Sequence, residues 1–392
     1  MILTIVLGVL VAVLLALAVS RLTSLVKGSS ALRRAPRGAS TDFDSVMLKS
    51  AMVPGVSVVC VAADASPLWR SHIRRLLDLH VGAHEVVLVV NGVAGWSEEL
   101  RLEREERTPL PPVPGASVRG YYVSRDPIQL LVLDVEAPDV GIAFQTGLAA
   151  AKHSVIGLLD REAEFIPEVL LRLMRPMLQE ERMLAVCGLA PDSPQTGAIR
   201  PGFLGKCTTL HTLRSWLEYC WQFGTSGSVA LLPGACLLVK RDAIQSVKGF
   251  GPHSRELLIQ LPAQPQVGFV PMAVSWRRSP ADWTESRQQL ARDRWYSAAI
   301  FPALVEAAAY LVTVAGLLTG AIGWPVAGIV VLATAGSGML ISMATVVLRE
   351  LAEPSGMAPS ELAALFFCAI PENLGYRQFR NLWLCAGSLR RQ

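Results

Sequence analysis

Charged residues are scarce in this sequence. They make up 17% of its 392 residues, whereas hydrophobic residues make up 52%, and the mean hydropathy is +0.40. A soluble globular protein is usually about a quarter charged, so this scarcity argues against a wholly soluble chain and indicates that part of it lies in lipid. The net charge of +4 is too small to indicate a nucleic-acid partner, and we expect none.

Cysteine pairs with metal-binding spacing are also absent. The seven cysteines include no CxxC pair, and their number is odd. A zinc site and a disulfide framework are therefore both disfavoured, and the pattern is typical of reduced, buried thiols in a cytoplasmic domain.

Long apolar runs stand near both ends of the chain. Residues Ile2 to Val19 carry no charge and are numerous enough to span a bilayer. No basic segment precedes this run and no small-residue cleavage site follows it, so we favour a retained anchor over a cleaved signal peptide, the alternative interpretation. Phe301–Gly323 and Trp324–Leu348 predict two further spans. The segment "ELAALFFCAI" before Pro371 is too short to span and is expected to be interfacial or re-entrant.

Basic residues flank these runs and predict the orientation of the chain. They follow the first run, precede the second and recur near the last residues of the sequence. By the positive-inside rule, the central region of about 280 residues is expected to be cytoplasmic. The sequence therefore predicts an integral membrane protein, most simply of a bacterial inner membrane, with a cytoplasmic catalytic domain.

The central region alternates between strand-like and helix-like segments. "VSVVCVA", "HEVVLVVN" and "SVIGLLD" are short apolar runs with helical stretches between them, which indicates an α/β fold with a doubly wound sheet. Ligands of such sheets bind beyond the carboxyl ends of the strands, and two of these runs end at Asn91 and Asp160. We expect an anchor (1–22), a basic linker (23–53), the α/β domain (54–278), an amphipathic interfacial helix (279–299) and a membrane region (300–392).

Five segments in this order resemble a known family. They are "PGVSVVCVAADAS", "EVVLVVNG", "GIAFQTGLAAAKHSVIGLLDRE", "LPGACLLVKRDAIQSVKGFGPHSREL" and "ARDRW". Together they are similar to the family-2 inverting glycosyltransferases of GT-A fold, in the membrane branch that includes cellulose synthase-like, hyaluronan synthase-like and ceramide glucosyltransferase-like enzymes. The similarity covers roughly residues 54–300.

The resemblance implies a GT-A-like, mostly parallel sheet and a reaction. The reaction is transfer of a hexose-type sugar from a nucleotide diphosphate, most simply a UDP-sugar, to a lipid or membrane-tethered glycan, with inversion. It implies Mg²⁺ or Mn²⁺ as cofactor, held by Asp160 and Glu162, because these ions take carboxylate and phosphate oxygens. The other implied residues are Glu256 as catalytic base, Trp295 at the acceptor, and, at the donor, Asp64, Asn91, Asp160, Arg294 and Trp295.

Several motif positions depart from the family pattern. Asn91 stands where the family has an acidic residue, Val140 replaces a lysine, Gln145 an asparagine, and Ala291 the glutamine of the last motif. These replacements motivate an alternative function. The chain would then be a catalytically inactive pseudo-glycosyltransferase, a scaffold or regulatory subunit of an envelope-glycan assembly with a membrane-protein partner.

Simpler interpretations remain for individual residues. Asp160 can be the cap or a first-turn acid of the helix that follows, because "FIPE" is typical of a helix start. Asp64 can be a turn residue without a binding role, because turns are rich in aspartate. Arg294 and Trp295 are expected residue types at a membrane interface. Glu306, within the second predicted span, is a functional candidate by default or lies near the headgroups.

Overall fold

The structure is a computed structural model, and it divides the chain into two compact units. One unit comprises Pro36–Ser193 and Gly227–Arg278, and the other comprises Met1–Ala35, Pro194–Ser226 and Ser279–Gln392; we call them the sheet unit and the helical unit. The structure describes residues 2–34, 50, 53–62, 64–97, 100–107, 109–124, 129–161, 163–188, 202–225, 236–245, 267–270, 275–277, 284, 300–352, 354 and 357–389.

A mixed sheet forms the centre of the sheet unit. Its described strands lie in the order β10-β8-β9-β6-β1-β2-β5-β4-β3, and β7 and β11 pair separately as an antiparallel ribbon. The strands are β1 (Val56–Ala62), β2 (His84–Val90), β3 (Glu103–Arg104), β4 (Ser117–Ser124), β5 (Gln129–Glu136), β6 (Val155–Leu159), β7 (Ala163–Phe165), β8 (Ala185–Gly188), β9 (Cys236–Lys240), β10 (Val267–Val270) and β11 (Ser275–Arg277).

The α/β class predicted from the sequence is confirmed, but the sheet is less parallel than expected. The four central strands β5, β2, β1 and β6 are parallel, whereas β4 and β9 on either side run antiparallel to their neighbours. The sequence analysis missed β5. This strand follows β4 after a short connection, and a short connection returns the chain as an antiparallel neighbour because parallel pairing needs a long crossover.

Helices α2 (Pro67–Leu77), α3 (Val140–Ala150), α4 (Val169–Gln179) and α6 (Arg241–Gln245) belong to the same unit. Helix α3 lies close on β1 and β2, because a Cβ on Gly147 would meet methyl groups of Val59 and Val89, each at 2.8 Å. Central strand residues such as Val58 and Leu88 are fully buried. Continuous apolar runs are expected for strands covered on both faces, and this burial fixes the strand ends where the candidate site lies.

Seven α-helices make up the described part of the helical unit. They are α1 (Ile2–Arg34), α5 (Phe203–Thr225), α7 (Ile300–Leu318), α8 (Trp324–Val331), α9 (Ser337–Ala352), α10 (Pro359–Pro371) and α11 (Arg377–Leu389), with π-helical turns at Leu332–Gly336 and Glu372–Tyr376. Three described helical stretches are long and apolar enough to cross a membrane: Leu3–Arg33, Phe301–Leu318 and Trp324–Ala352.

Three predicted boundaries differ from the structure. Helix α1 continues through residues 23–34 of the predicted linker because Leu25 and Leu32 are buried there. Helix α5, placed by sequence in the α/β domain (54–278), belongs to the helical unit. The segment before Pro371 does not end there, because a π-helical turn carries it into α11. The predicted interfacial helix (279–299) lies outside the described residues, apart from Thr284.

Glu306 is held by an ion pair in the helical unit. Its side chain is 2% exposed and its Oε2 accepts hydrogen bonds from Arg377 Nη2 and Asn381 Nδ2, each at 2.8 Å. Both donors come from α11. The carboxylate therefore joins α7 to α11 within the helical unit.

Candidate functional site

Three of the predicted site residues follow neighbouring strands of the sheet. Asp64 lies just beyond β1, Asn91 follows β2 directly, and Asp160 follows β6 directly. Strand β1 pairs in parallel with β2 on one side and β6 on the other, so the strand order reverses at β1. Ligands of open α/β sheets bind in the crevice at such a switch point. The structure therefore brings these three residues to one rim, while Glu162, Glu256, Arg294 and Trp295 lie outside the described residues.

Asp160 does not cap a helix. Strand β7 follows it, and α4 begins only at Val169, with Glu168 in the N-cap position. The Asp160 carbonyl oxygen accepts a hydrogen bond from the Ala163 amide at 3.0 Å, which closes the turn between β6 and β7. The interpretation of Asp160 as the helix cap is therefore wrong, and its half-buried carboxylate stands at the rim.

Helix α2 holds the turn that carries Asp160. Arg75 of α2 donates from Nη1 to the Ala163 carbonyl at 3.0 Å and from Nη2 to the Arg161 carbonyl at 3.3 Å. The Arg75 guanidinium also lies 5.4 Å from the ring centroid of Phe165, and that of Arg161 lies 5.4 Å from the ring centroid of Trp69. These contacts fix the backbone at Arg161 and Ala163. The sequence analysis assigned no role to this arginine.

A buried histidine lies beneath these contacts. His72 of α2 is fully buried and meets the rings of Trp69 and Phe165 edge-on, with centroids 5.7 and 6.1 Å away. Burial, together with the guanidinium of Arg75, lowers the pKa of His72 to about 3. The imidazole is thus neutral at physiological pH and serves as a packing element under the turn rather than as a proton carrier.

The loop after β2 is organised by a buried carboxylate that the sequence analysis missed. Asp134 Oδ1, from β5, accepts hydrogen bonds from the Gly92 amide at 2.9 Å and from Arg119 Nη2 at 2.6 Å. The same Arg119 nitrogen donates to Asn91 Oδ1 at 2.6 Å. Gly92 has φ of 99°, a left-handed conformation that glycine adopts without strain. The signal in the sequence was an acid inside an apolar run, "QLLVLDVE".

This network explains why an amide suits position 91. The Asn91 oxygen accepts a hydrogen bond from a guanidinium that Asp134 already neutralises. An acid at position 91 would place a second carboxylate on the same arginine. The amide instead accepts from Arg119 and adds no charge, and its NH₂ group, which makes no hydrogen bond to a described residue, can donate to a ligand at the rim.

Asp64 makes a local turn contact. Its exposed side chain accepts a hydrogen bond through Oδ1 from the Ser66 amide at 3.2 Å, immediately before α2. Arg70 of α2 then donates to the Ala65 carbonyl at 2.8 Å and to the Gly95 carbonyl at 3.1 Å. The turns after β1 and β2 are thereby tied together, and the structure supports the turn role of Asp64.

The donor set at the rim fits a divalent cation only when a ligand supplies further oxygens. Within the described ranges, no group of three or more His, Cys, Asp and Glu side chains is arranged to hold a metal. Asp160 offers one carboxylate. Mg²⁺ is usually bound through one or two carboxylates together with substrate phosphates, so one or two acids at a strand end suffice when a diphosphate is present.

Comparison with known proteins gives matches only among solved structures. No protein-family model matches the sequence, and no curated protein sequence matches it significantly. A mannosyltransferase from Pyrobaculum calidifontis, in complex with GDP-Man and Mn²⁺, is 14% identical over 94% of this chain and 99% of its own, with a TM-score of 0.46.

A second match is glucosyl-3-phosphoglycerate synthase from Mycobacterium tuberculosis, in complex with Mn²⁺, UDP-glucose and phosphoglyceric acid. It is 17% identical over 66% of this chain and 84% of its own, with a TM-score of 0.34. At these identities and TM-scores, the similarities assign neither a function nor residue roles to the chain. Those have to come from its own side chains.

Proposed function

We propose that this protein is a membrane glycosyltransferase. It transfers a hexose-type sugar from a nucleotide diphosphate, most simply UDP, to a lipid or membrane-tethered glycan, with inversion at the anomeric carbon. The observation that carries the proposal is the rim at the switch point of the sheet, where Asp64, Asn91 and Asp160 follow three adjacent parallel strands. Three helices suited to cross a membrane in the same chain support a membrane-borne acceptor.

Each proposed site residue binds a different part of the nucleotide sugar or the metal ion. Asp160, with Glu162, is the carboxylate that would hold Mg²⁺ or Mn²⁺ against the diphosphate. The ion's contribution is to stabilise the negative charge of the leaving group. Asp64 accepts a hydrogen bond from the nucleobase, and the Asn91 amide donates a hydrogen bond to the nucleotide sugar. Arg294 and Trp295 cover the phosphates and the acceptor channel.

Glu256 acts as the general base of the proposed reaction. It takes the proton from the acceptor hydroxyl as the oxygen attacks the anomeric carbon on the face opposite the nucleotide. The new carbon–oxygen bond forms while the bond to the diphosphate breaks, and the nucleotide diphosphate leaves. One displacement inverts the configuration.

The second candidate is a pseudo-glycosyltransferase that binds a partner or a nucleotide without turnover. The observation that favours it is the engagement of Asn91 with Arg119. The side-chain oxygen of Asn91 is occupied by Arg119, at a position where the family-2 glycosyltransferase pattern has an acidic residue. Among the described rim residues, Asp160 is then the acid that directly follows a central strand.

Donor hydrolysis and ligand-dependent stabilisation test the proposal. The purified full chain is incubated with several nucleotide sugars and Mn²⁺, and nucleotide release and thermal unfolding are followed. We expect both signals in the wild type and their loss in Asp160→Ala. The matched control is Glu136→Ala, an exposed acid at the end of β5, which should retain both.

The outcomes of this assay distinguish an active glycosyltransferase from a pseudo-glycosyltransferase. A ligand at a hundred times its dissociation constant stabilises a protein by about 2.7 kcal/mol, a readily measured shift. Stabilisation without nucleotide release in the wild type supports the pseudo-glycosyltransferase. Equal behaviour of wild type and Asp160→Ala contradicts the role of Asp160.

A further inference from the structure

Arg380 in the helical unit is buried and has no hydrogen-bond or ion-pair partner among the described residues. Arg380 of α11 is 8% exposed, and within the described part of the chain it makes no hydrogen bond or ion pair; its Nε is buried with no acceptor. An unpaired buried charge costs several kcal/mol, so proteins rarely keep one without a use. Arg349 of α9 provides the contrast, because it is 9% exposed yet pairs with Glu350 at 3.3 Å.

The electrostatic neighbours of Arg380 include other arginines as well as Glu372. Arg214 of α5 and Arg21 of α1 are among its electrostatic neighbours, and both repel it. Burial and the Arg214 guanidinium lower the pKa of Arg380 to about 10. His211 of α5 is influenced by the same three guanidinium groups. We call Arg21, Arg214 and Arg380 the arginine cluster.

The acids beside the arginine cluster do not balance it. Glu372 is committed to Arg214, which donates to Oε1 at 2.9 Å, and to Ser342, which donates to Oε2 at 2.7 Å. Glu218 is an acidic neighbour of all three arginines, and its Oε1 is buried with no hydrogen bond to a described residue. Glu306 also lies near Arg21, but its carboxylate accepts a hydrogen bond from Arg377. With the Glu306–Arg377 pair included, four guanidinium groups face three carboxylates, so the charges around the arginine cluster are one anion short of balance.

We propose that the arginine cluster is a binding site for a phosphate-class anion, supplied by the headgroup of an anionic phospholipid. The planar guanidinium fork matches the oxygens of a phosphate, and several arginines together neutralise its charge. Arg21 is the first charged residue after the apolar run of α1, which places it at headgroup depth. The site lies in the helical unit and does not depend on the proposed function.

The test uses the delipidated full chain in a neutral detergent, with three additives compared by thermal unfolding. They are dioctanoyl phosphatidic acid, dioctanoyl phosphatidylcholine and inorganic phosphate. The variants are Arg380→Gln, which removes the charge, Arg380→Lys, which keeps the charge without the fork, and Arg349→Gln as the control from an equally buried but paired arginine.

Phosphatidic acid should raise the unfolding temperature of the wild type and of Arg349→Gln but not of Arg380→Gln. Arg380→Lys should need at least about tenfold more lipid, because a charge-assisted pair is lost while the charge stays. Without additive, Arg380→Gln should be as stable as the wild type or more stable, because no partner is left unpaired.

The remaining outcomes distinguish a lipid headgroup from free phosphate as the bound anion, or reject the anion site. An equal shift with inorganic phosphate supports the site with a free anion as its ligand, and a shift with phosphatidic acid alone supports the headgroup. Equal shifts in wild type and Arg380→Gln overturn the proposal, as does the absence of any shift in the wild type. Failure of Arg380→Gln to fold also overturns it, since that would show that the guanidinium already has a partner.

Discussion

Replacement of Asp134 by alanine should release the loop that carries Asn91. The carboxylate is 12% exposed, and a single oxygen, Oδ1, holds both the Gly92 amide and the Arg119 guanidinium. Hydrogen bonds to a charged group contribute about 1.5–3 kcal/mol. The Arg119 side chain is 40% exposed, so solvent screens its part of the interaction and a value near the lower end, about 2 kcal/mol, is expected for the whole contact.

Hydrogen exchange measures this local opening. A loss of about 2 kcal/mol corresponds to roughly thirtyfold faster exchange of amides in the loop 91–97, if opening governs exchange. Arg119→Ala should accelerate the same amides less, because the exposed guanidinium contributes less than the carboxylate. Glu136→Ala, at the exposed end of the same strand, should leave the loop unchanged.

The result that refutes this reasoning is specific. Exchange in the loop of Asp134→Ala within about twofold of the wild type would show that the carboxylate does not hold the Gly92 amide. Faster exchange spread over all central strands would instead show that Asp134 supports the whole sheet. Either pattern would show that Asp134 does not specifically hold the loop in which Asn91 meets Arg119.

Three other changes have defined outcomes. Gly28→Ala should lower the thermal stability of the detergent-solubilised chain, because its methyl would overlap the Leu217 carbonyl where α1 meets α5, whereas Gly8→Ala on the same helix meets nothing and should be neutral. Phe144→Ala, at a fully buried position, should cost about 3–5 kcal/mol in chemical unfolding of the sheet unit. His72, with its pKa at about 3 against 6.5 when unfolded, binds its proton first in the unfolded chain. Stability should therefore fall as the pH drops below about 6.5, by up to about 1.4 kcal/mol per pH unit, and His72→Phe should flatten that slope in unfolding measured at several pH values.

The centre of the sheet could be predicted from the sequence because burial on both faces leaves a visible signature. Strands β1, β2 and β6 are largely apolar runs, each followed within two residues by a polar residue, and their ends define the rim. Strand β5 carries the same signature but is interrupted by Asp134. An acid inside an apolar run is readable as a strand residue only once its partner Arg119 is known, and that pairing comes from tertiary structure.

The organisation of the helical unit was harder to predict for the same reason. Helix α5 was recognised, but its threonines, Arg214 and Glu218 resemble the surface of a soluble helix. Three of the threonines instead donate to carbonyls one turn earlier in the same helix, whereas Arg214 donates to Glu372 and Ser342, which follow it in sequence by 158 and 128 positions. Local sequence patterns do not encode which polar face meets which, so the helix was placed in the wrong unit.

The charged groups at the two proposed sites differ in their exposure to solvent, so the two sites can be tested separately. At the rim of the sheet unit, a carboxylate and an amide stand partly open to solvent, where a cationic or polar ligand can reach them without the cost of burying a charge. In the helical unit, the guanidinium of Arg380 is already buried, so an incoming anion would stabilise it. Loss of Asp160 should therefore abolish nucleotide-sugar effects and leave the response to phosphatidic acid intact. Arg380→Gln should do the reverse, and a variant that abolished both would indicate unfolding rather than either role.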